Sequence, residues 1–522
     1  MDTIKDNILS VSRPHRLHFA PAALSHFVKE SSQHRDPSVF IDEVVAALTS
    51  APTRGQVIGV GDIQQLCVDL NNQKSIQSTG PSGGRTVWAL SAFEFPRVAV
   101  DRLSGTLSLC PGKVFSCPQD AMDQRLHFAL ERCLRSNLFQ SRNAKVQSQK
   151  PAIYSLASLE GLSDESMKIS ALGHLTRSGE QWLLEDVSTS IPLEVDGSVV
   201  LPAAGILGDG CTVVVTGRWN GTVFHCDDVS FPPTETKETS RSAYRGIDLF
   251  GNESQPSSTS EDVLVVISQC HFDRQQSLDN LRRVMSEFEG RDESDLLQIT
   301  FVLIGNFSTT TSVQETPIHM STSESRGGTF HALCQFSAMV AASVPRVGAH
   351  SHFIFVPGPS DASPISGVLP QPPLGEEISV TTKLSSSCPK SVFMSNPCRL
   401  QIAGKEVTIC RSDFSRSMSA PSVIGGGRVK EGAHPFEHIV KSIVDCRHLV
   451  PLKSTNPRVV WGLDSTLSLV TLPDLLILAD STDQWECSYA GTKVLNPGSF
   501  SSTTAFTWYS ASDDEVTFNQ LL

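Results

Sequence analysis

Four short polar turns follow strongly apolar stretches of the sequence, and their side chains are of types that can bind metal ions. The apolar stretches are 263–267, 299–304, 353–356 and 475–479. The polar residues that follow them are Gln269, His271, Asn306, Asp361 and Asp480. Stretches that are apolar along their whole length are typical of strands covered on both faces of a sheet. Because ligands of open α/β sheets bind beyond the carboxyl ends of the strands, these turns are where we look for chemistry.

A hydrolase that uses two metal ions needs carboxylates, an amide and several imidazoles at such turns. Two cations about 3.5–4 Å apart have to be held while their charge is offset. Successive turns would read D-x-H, G-D and G-N-H-D/E, followed by a glycine-histidine pair. This chain has Gln269 at the first carboxylate position, Asn306 at the second, and Asp480 where the pair is expected. Neutral amides do not balance two divalent cations, so we predict a degenerate former metal site with no catalytic residue, no metal and no cofactor.

Composition narrows the class of protein further. Lys+Arg 42 against Asp+Glu 55 gives a net charge of −13, which disfavours a protein whose main task is to grip nucleic acid. The 13 cysteines include no C-x-x-C pair, so the sequence indicates neither a disulfide framework nor a thiolate zinc site. The first residues lack the pattern of a secretory signal, and no run approaches the ~18–20 apolar residues that span a bilayer. We therefore expect an intracellular protein with reduced cysteines.

Hydrophobic periodicity divides the chain into four predicted segments. The spacing is helical from residue 21 to about 70, and a stretch rich in Ser, Gly, Asn and Gln follows at 71–86. Between 168 and 233 the period is two, and five short strands predict a small barrel of the oligonucleotide-binding (OB) type. Beyond 262, apolar strands alternate with amphipathic helices. The predicted domains are an N-terminal helical domain (1–70), a linker and connecting segment (71–150), an OB-fold domain (151–235) and an α/β domain (262–522).

Several longer motifs stand in a fixed order along the chain. They are F-P-P-T-E at 231–235, F-V-P-G-P-S-D at 355–361, L-P-Q-P-P-L at 369–374, S-N-P-C-R at 395–399, L-P-D-L-L-I-L-A-D at 472–480 and N-P-G-S-F at 496–500. Together with the helical N-terminal segment, they resemble the B subunits of the replicative DNA polymerases, and within that family its epsilon branch. The likeness extends over nearly the whole chain and is weakest at 71–86, 106–150 and 412–435.

The resemblance implies a multidomain fold with a small N-terminal α domain, an OB-type β-barrel and an α/β metallophosphoesterase-like (calcineurin-like) sandwich that lacks metal ligands. It implies a non-catalytic accessory subunit in the nucleus that acts in leading-strand DNA replication. In that family, the sandwich and barrel hold the zinc-binding C-terminal region of the catalytic polymerase subunit. Small histone-fold subunits complete the complex, and the N-terminal domain contacts the replicative helicase assembly (GINS). DNA would be bound mainly through the complex, and no membrane is implied.

Two other functions remain open from the residues alone. A metal-dependent nuclease or phosphodiesterase would require His271, Asp273, Asp361 and Asp480 to converge. A free single-stranded DNA-binding protein would use the barrel, but its strands carry many acidic residues and few aromatic ones. We expect the barrel to pack against protein instead.

Overall fold

The computed structural model describes most of the chain beyond residue 86. The described residues are 5, 8, 12, 18–31, 41, 44–45, 57–58, 87–100, 107–110, 115–139, 153–159, 161–162, 166–195, 199–202, 204–244, 249–250, 262–309, 327–361, 367–418, 434–453 and 457–521. The chain divides into two compact units, Met1–Arg85 and Thr86–Leu522. No helix in these ranges is long and apolar enough to cross a membrane.

The first unit contains one described helix and one small strand pair. The helix Pro21–Ser31 begins at a proline, which suits the first turn because its missing N–H is not needed there. Strands His18–Phe19 and Val57–Ile58 pair in parallel. The helix Pro21–Ser31 coincides with the start of the predicted helical stretch. Of the rest of that stretch, to about residue 70, the structure describes only 41, 44–45 and 57–58, and all of the predicted linker 71–86 lies outside the described residues.

The second unit begins with regular structure inside the predicted connecting segment. Strand Trp88–Ser91 precedes a hairpin of Arg97–Val100 and Leu107–Cys110. Helix Pro118–Arg135 follows, with proline in its first turn, an acidic residue near its start and arginines near its end, all of which favour a helix. Its residues Leu126, Ala129 and Cys133 pack against the barrel described next.

A closed barrel is formed by the five strands that the alternation predicts. They are Ile169–Ser178, Gln181–Glu185, Ser190–Glu194, Thr212–Trp219 and Phe224–Ser230. The third and fifth strands pair in parallel, and the fourth pairs with both the fifth and the first, which closes the ring. This strand order is that of an OB fold. A short sixth strand, Ile153–Tyr154, adds to the outside of the first strand and was not predicted.

Two six-stranded mixed sheets form the rest of the second unit. The first sheet has the order Ser391–Phe393, His352–Val356, Ile299–Ile304, Val263–Ser268, Ala505–Ser510 and Glu515–Gln520. The second has the order Trp485–Tyr489, Thr492–Asn496, Leu475–Ala479, Lys405–Arg411, Cys398–Ile402 and Trp88–Ser91. Three of the four predicted apolar strands are parallel neighbours in the first sheet. The fourth, Leu475–Ala479, lies in the second sheet.

The two sheets pack face to face through aliphatic side chains, with Leu264, Val302 and Ile354 of the first sheet in the same cluster as Ile409 and Ile477 of the second. Helices cover both outer faces, which explains why the central strands are apolar along their whole length.

On the outer face of the first sheet lie helices Gln275–Glu289 and Gly327–Ser343, whose predicted apolar stripes are buried. Helix Pro435–Cys446 covers the second sheet. The remaining helical segments are Leu156–Leu159, Lys237–Ala243, Glu293–Leu296, Pro345–His350, Glu376–Thr381, Leu384–Ser387, Phe414–Met418, Trp461–Leu467 and Phe500–Thr503, and a further strand pair is Val368–Leu369 with Arg458–Val459.

Candidate functional site

Three of the four predicted turns meet at the carboxyl edge of the first sheet. The Gly305 N–H donates to the Val356 carbonyl over 2.8 Å, and the His271 N–H donates to the Asn306 carbonyl over 3.2 Å. The backbones approach so closely that a Cβ atom on Gly305 would lie 1.8 Å from Oδ2 of Asp361. Only glycine fits at that position. These contacts bring together the turns that carry Gln269, His271, Asn306 and Asp361.

Asp361 connects two of these turns through its carboxylate. Its Oδ1 accepts from the Phe307 N–H over 2.7 Å, and its Oδ2 accepts from the Gly358 N–H over 2.8 Å. The side chain is 1 % exposed. Burial raises the pKa of Asp361 to about 7, opposed by these two N–H donors and by the charge of Arg411. Both carboxylate oxygens are therefore used inside the protein.

The side-chain amides of Asn306 and Gln269 are also engaged internally. Oδ1 of Asn306 accepts from the Ser360 N–H over 2.9 Å. Oε1 of Gln269 accepts from the Ser499 hydroxyl, and the Gln269 carbonyl accepts from the Ser501 N–H over 3.2 Å. These contacts tie the turn after Val263–Ser268 to the segment that precedes strand Ala505–Ser510. The amides act as hydrogen-bonding cross-links where a metalloenzyme would carry charged ligands.

Asp480 lies at the end of strand Leu475–Ala479 in the second sheet. Its Oδ2 accepts from the Ser415 N–H over 2.8 Å, which holds the start of helix Phe414–Met418. Its own N–H donates to Oδ1 of Asn496 over 3.0 Å. Asp480 is 1 % exposed, and its Oδ1 accepts from the Thr482 N–H over 3.3 Å in the turn that follows. It makes no hydrogen bond to the other four residues among the bonds of the described part of the chain.

His271 is half-buried beside the same turns. Burial lowers its pKa, and the positive charges of Arg274 and Arg411 lower it further, whereas Asp273 raises it. Its Nδ1 makes no hydrogen bond to the described residues. Asp273, which a nuclease would have needed as a ligand, instead accepts from Ser308 and from the Thr309 N–H and hydroxyl. The imidazole is accordingly neutral at neutral pH, next to carboxylates that are already bound.

Arg411 is the residue of this site that the sequence analysis missed. It ends strand Lys405–Arg411 of the second sheet, and its side chain is 1 % exposed. Nη1 donates to Oδ1 of Asp413 over 2.9 Å and to the Ala479 carbonyl over 3.3 Å. Its charge lowers the pKa of both Asp361 and His271. In the sequence, Arg411 follows the residues V-T-I-C at 407–410, and it is the last residue of its strand.

These residues do not fit a divalent metal ion. A site of this kind needs free carboxylate oxygens, but both oxygens of Asp361 and both oxygens of Asp480 accept backbone N–H donors. A guanidinium group, Arg411, already supplies positive charge near Asp361. Within the described residues, no group of three or more His, Cys, Asp or Glu side chains is arranged to hold a metal ion. The arrangement cross-links the turns of the sandwich through hydrogen bonds.

Comparison with known proteins decides the family. The model of the B subunits of DNA polymerases alpha and epsilon matches residues 264–487, and the model of the DNA polymerase epsilon subunit 2-like OB-fold domain matches residues 117–233. The two ranges together span more than half of the chain. The chain belongs to the B-subunit family of DNA polymerases alpha and epsilon. As a member of that family it is a non-catalytic accessory subunit of the epsilon type.

Individual relatives of this protein agree over most of its length. DNA polymerase epsilon subunit 2 of Homo sapiens is 27 % identical over 492 residues, covering 88 % of this chain and 87 % of the relative. The same subunit of Mus musculus is 27 % identical and covers 84 % of each chain. The DNA polymerase epsilon B subunit of Arabidopsis thaliana is 29 % identical, covering 65 % of this chain and 63 % of the relative. Among solved structures, an archaeal phosphodiesterase aligns with 50 % of this chain at 12 % identity and a TM-score of 0.25, which is too low to bear on its fold.

Proposed function

We propose that this accessory subunit acts in the nucleus as the scaffold of the DNA polymerase epsilon complex. In this proposal, the barrel and the sandwich hold the zinc-binding C-terminal region of the catalytic subunit. The N-terminal helical domain links the complex to the replicative helicase assembly (GINS) during leading-strand synthesis, and small histone-fold subunits complete the assembly. The proposed domains are 1–70, 71–150, 151–235 and 262–522, the last being a calcineurin-like sandwich that has lost its metal ligands.

The observation that carries the proposal is the internal cross-linking of the former metal edge. Unpaired carboxylates are costly to bury against another chain, because each loses its hydration without gaining a partner. Here the acceptors of Asp361, Asn306 and Gln269 are already bound by N–H and O–H donors of the same chain. Such an edge can be covered by a second subunit without that cost. Loss of catalysis and gain of an interface would then follow from the same substitutions.

The barrel surface supports contact with protein in preference to DNA. Two valines are exposed on it, Val187 at 55 % and Val200 at 61 %. Acidic side chains lie on the strands of the barrel, among them Glu194, Asp227 and Asp228. Negative charge repels a phosphate backbone, whereas exposed apolar side chains favour a protein partner when they are covered.

The test is assembly with the catalytic subunit. The full chain is co-expressed with the zinc-binding C-terminal region of the polymerase epsilon catalytic subunit, and the complex is isolated through a tag on that region. We expect a one-to-one complex with the wild-type chain and at least a tenfold loss of affinity for Val200→Arg, which places charge on the barrel. The matched control is Val380→Arg, at a valine that is 71 % exposed on helix Glu376–Thr381 of the sandwich.

Circular dichroism and gel filtration establish that both variants fold, since both valines are exposed. Failure of the wild-type chain to assemble would overturn the proposed function. Equal assembly of the wild-type chain and Val200→Arg would overturn the assignment of the barrel to the interface.

A further inference from the structure

A small cavity lies between helix Pro118–Arg135 and the C-terminal end of helix Pro435–Cys446. Three arginines line it, Arg125, Arg132 and Arg447, together with Tyr244 and Cys446. Its accessible volume is about 10 Å³, which is close to the minimum that holds one water molecule. None of the residues that line the cavity belongs to the turns that carry Gln269, His271, Asn306, Asp361 and Asp480.

Two of these arginines are buried and carry hydrogen-bond donors that have no acceptor among the described residues. Arg132 is 4 % exposed and Arg447 is 6 % exposed. Each donates through Nη2 to one backbone carbonyl, Arg132 to Asp445 over 2.7 Å and Arg447 to Glu235 over 2.8 Å. The Nε and Nη1 atoms of both residues have no hydrogen-bond partner among the described residues. Leaving a buried charged donor without an acceptor is costly, so four such donors around one cavity call for an acceptor inside it.

The nearby carboxylates are committed to other cations. Asp464 accepts from Nε and Nη2 of Arg125. Glu235 accepts from Nε and Nη2 of Arg135, and its Oε2 lies 3.7 Å from Arg447.

Asp445 accepts from Lys441 and Tyr489. Glu131 lies 3.9 Å from Arg135 as well, so five cationic side chains face four carboxylates, which leaves one net positive charge around the cavity. Burial, together with the charge of Arg132, lowers the pKa of Arg447 to about 9, although Glu235, Tyr244 and Asp445 raise it.

We propose that this cavity binds one small inorganic anion, held by the Nε and Nη1 donors of Arg132 and Arg447. The small volume selects a monoatomic anion such as chloride, and excludes phosphate and any nucleotide. Such an ion would satisfy donors from helix Pro118–Arg135 and from the residue that ends helix Pro435–Cys446. It would therefore fasten the connecting helix to the sandwich, next to the barrel.

Thermal unfolding of the full chain tests the proposal at constant ionic strength. Gluconate, which is too large for the cavity, is replaced stepwise by chloride in one series and by inorganic phosphate in another. We expect chloride to raise the unfolding midpoint by about 1–3 °C, because an ion that binds only the folded state stabilises it. Phosphate, which is too large for the cavity, should leave the midpoint unchanged. The two series distinguish a monoatomic ion from an oxyanion.

Variants assign the effect to the cavity. Arg132→Met should lose the anion-dependent shift, and Arg291→Met, at an exposed arginine beyond helix Gln275–Glu289, should keep it. If Arg132→Met does not fold, Arg132→Lys keeps the charge, loses the planar fork and should show a reduced shift. In parallel, ³⁵Cl NMR line broadening by the wild-type chain reports chloride binding directly.

Identical midpoints in gluconate, chloride and phosphate would overturn the proposal, since they would mean that water fills the cavity. A shift that persists unchanged in the Arg132 variant would also overturn it, because the ions would then act elsewhere on the surface.

Discussion

The charge of Arg411 should stabilise the fold through Asp361, and Arg411→Met removes that charge while keeping much of the side-chain volume. The guanidinium group is buried, and its loss leaves the Ala479 carbonyl without a donor from Nη1 and Asp361 without its positive neighbour. Removing one member of a buried charge pair costs about 3–5 kcal/mol. In the variant, Asp361 keeps its two backbone N–H donors, and Asp413 is partly exposed. We therefore expect the free energy of unfolding to fall by about 3 kcal/mol, the lower end of that range.

The loss should depend on pH in a defined direction. The folded-state pKa of Asp361, about 7, lies above the ordinary value of 3.8. Its raised pKa contributes stability that is fully present below the unfolded pKa and is lost as the pH rises through about 7. At pH 6 Asp361 is mostly protonated and gains little from the positive charge of Arg411. At pH 8 Asp361 is mostly charged, and the attraction to Arg411 stabilises it. The free energy of unfolding of Arg411→Met should therefore fall further below wild type at pH 8 than at pH 6.

Urea unfolding followed by tryptophan fluorescence measures these losses, with Arg416→Met as the matched control because Arg416 is exposed on the adjacent helix. A double-mutant cycle with Asp361→Asn isolates the pair. We expect a coupling free energy of about 1–2 kcal/mol at pH 8, within the range for residues that share one network. Additivity within about 0.5 kcal/mol, or an equal loss at both pH values, would refute the inference that the charge of Arg411 stabilises the fold through Asp361.

Two further predictions concern packing and protonation. Gly305→Ala should destabilise the chain by about 3 kcal/mol or more and lower its soluble yield, because the new Cβ would meet Oδ2 of Asp361. Gly290→Ala is the control, since a Cβ there meets nothing within 4 Å. Equal thermal midpoints of the two variants would contradict the close contact at Gly305. Burial lowers the pKa of His174 to about 4, so the unfolded chain binds a proton that the folded chain does not, and stability should fall as the pH drops from about 6.5 towards 4. His174→Gln should flatten this part of the urea-midpoint profile, whereas exposed His331→Gln should leave it unchanged; a profile that His174→Gln does not alter would contradict the assignment.

The parts of the fold that sequence predicted are those with strong local patterns. Nearly all of the stretch 299–304 is apolar because its strand is covered on both faces, and the stripe from Leu278 to Phe288 is the buried face of one helix. In the barrel, strand Ser190–Glu194 alternates because one of its faces is buried. Trp88–Ser91 was missed because its place is set by pairing with Cys398–Ile402, some 300 residues away, and no local pattern encodes that partner.

The candidate site was predicted in a similar way and with a similar gap. Asn306 and Asp361 were placed together because parallel neighbouring strands end at one edge. Asp480 ends a strand of the other sheet and caps helix Phe414–Met418, which no spacing in the sequence reveals. Arg411 was overlooked for the same reason, since its role arises only when the two sheets pack together and bring its charge towards Asp361.

The central claim is that the chain works as a non-catalytic subunit of a polymerase complex, and one purification tests it directly. The tagged full chain is recovered from nuclear extract at moderate salt with nuclease present, and the chains that accompany it are identified and quantified by mass spectrometry. The account predicts a large family-B polymerase subunit in equal amount, together with small histone-fold subunits. Recovery of the chain alone, or of the chain with manganese-dependent phosphodiesterase activity that His271→Ala abolishes, would contradict it.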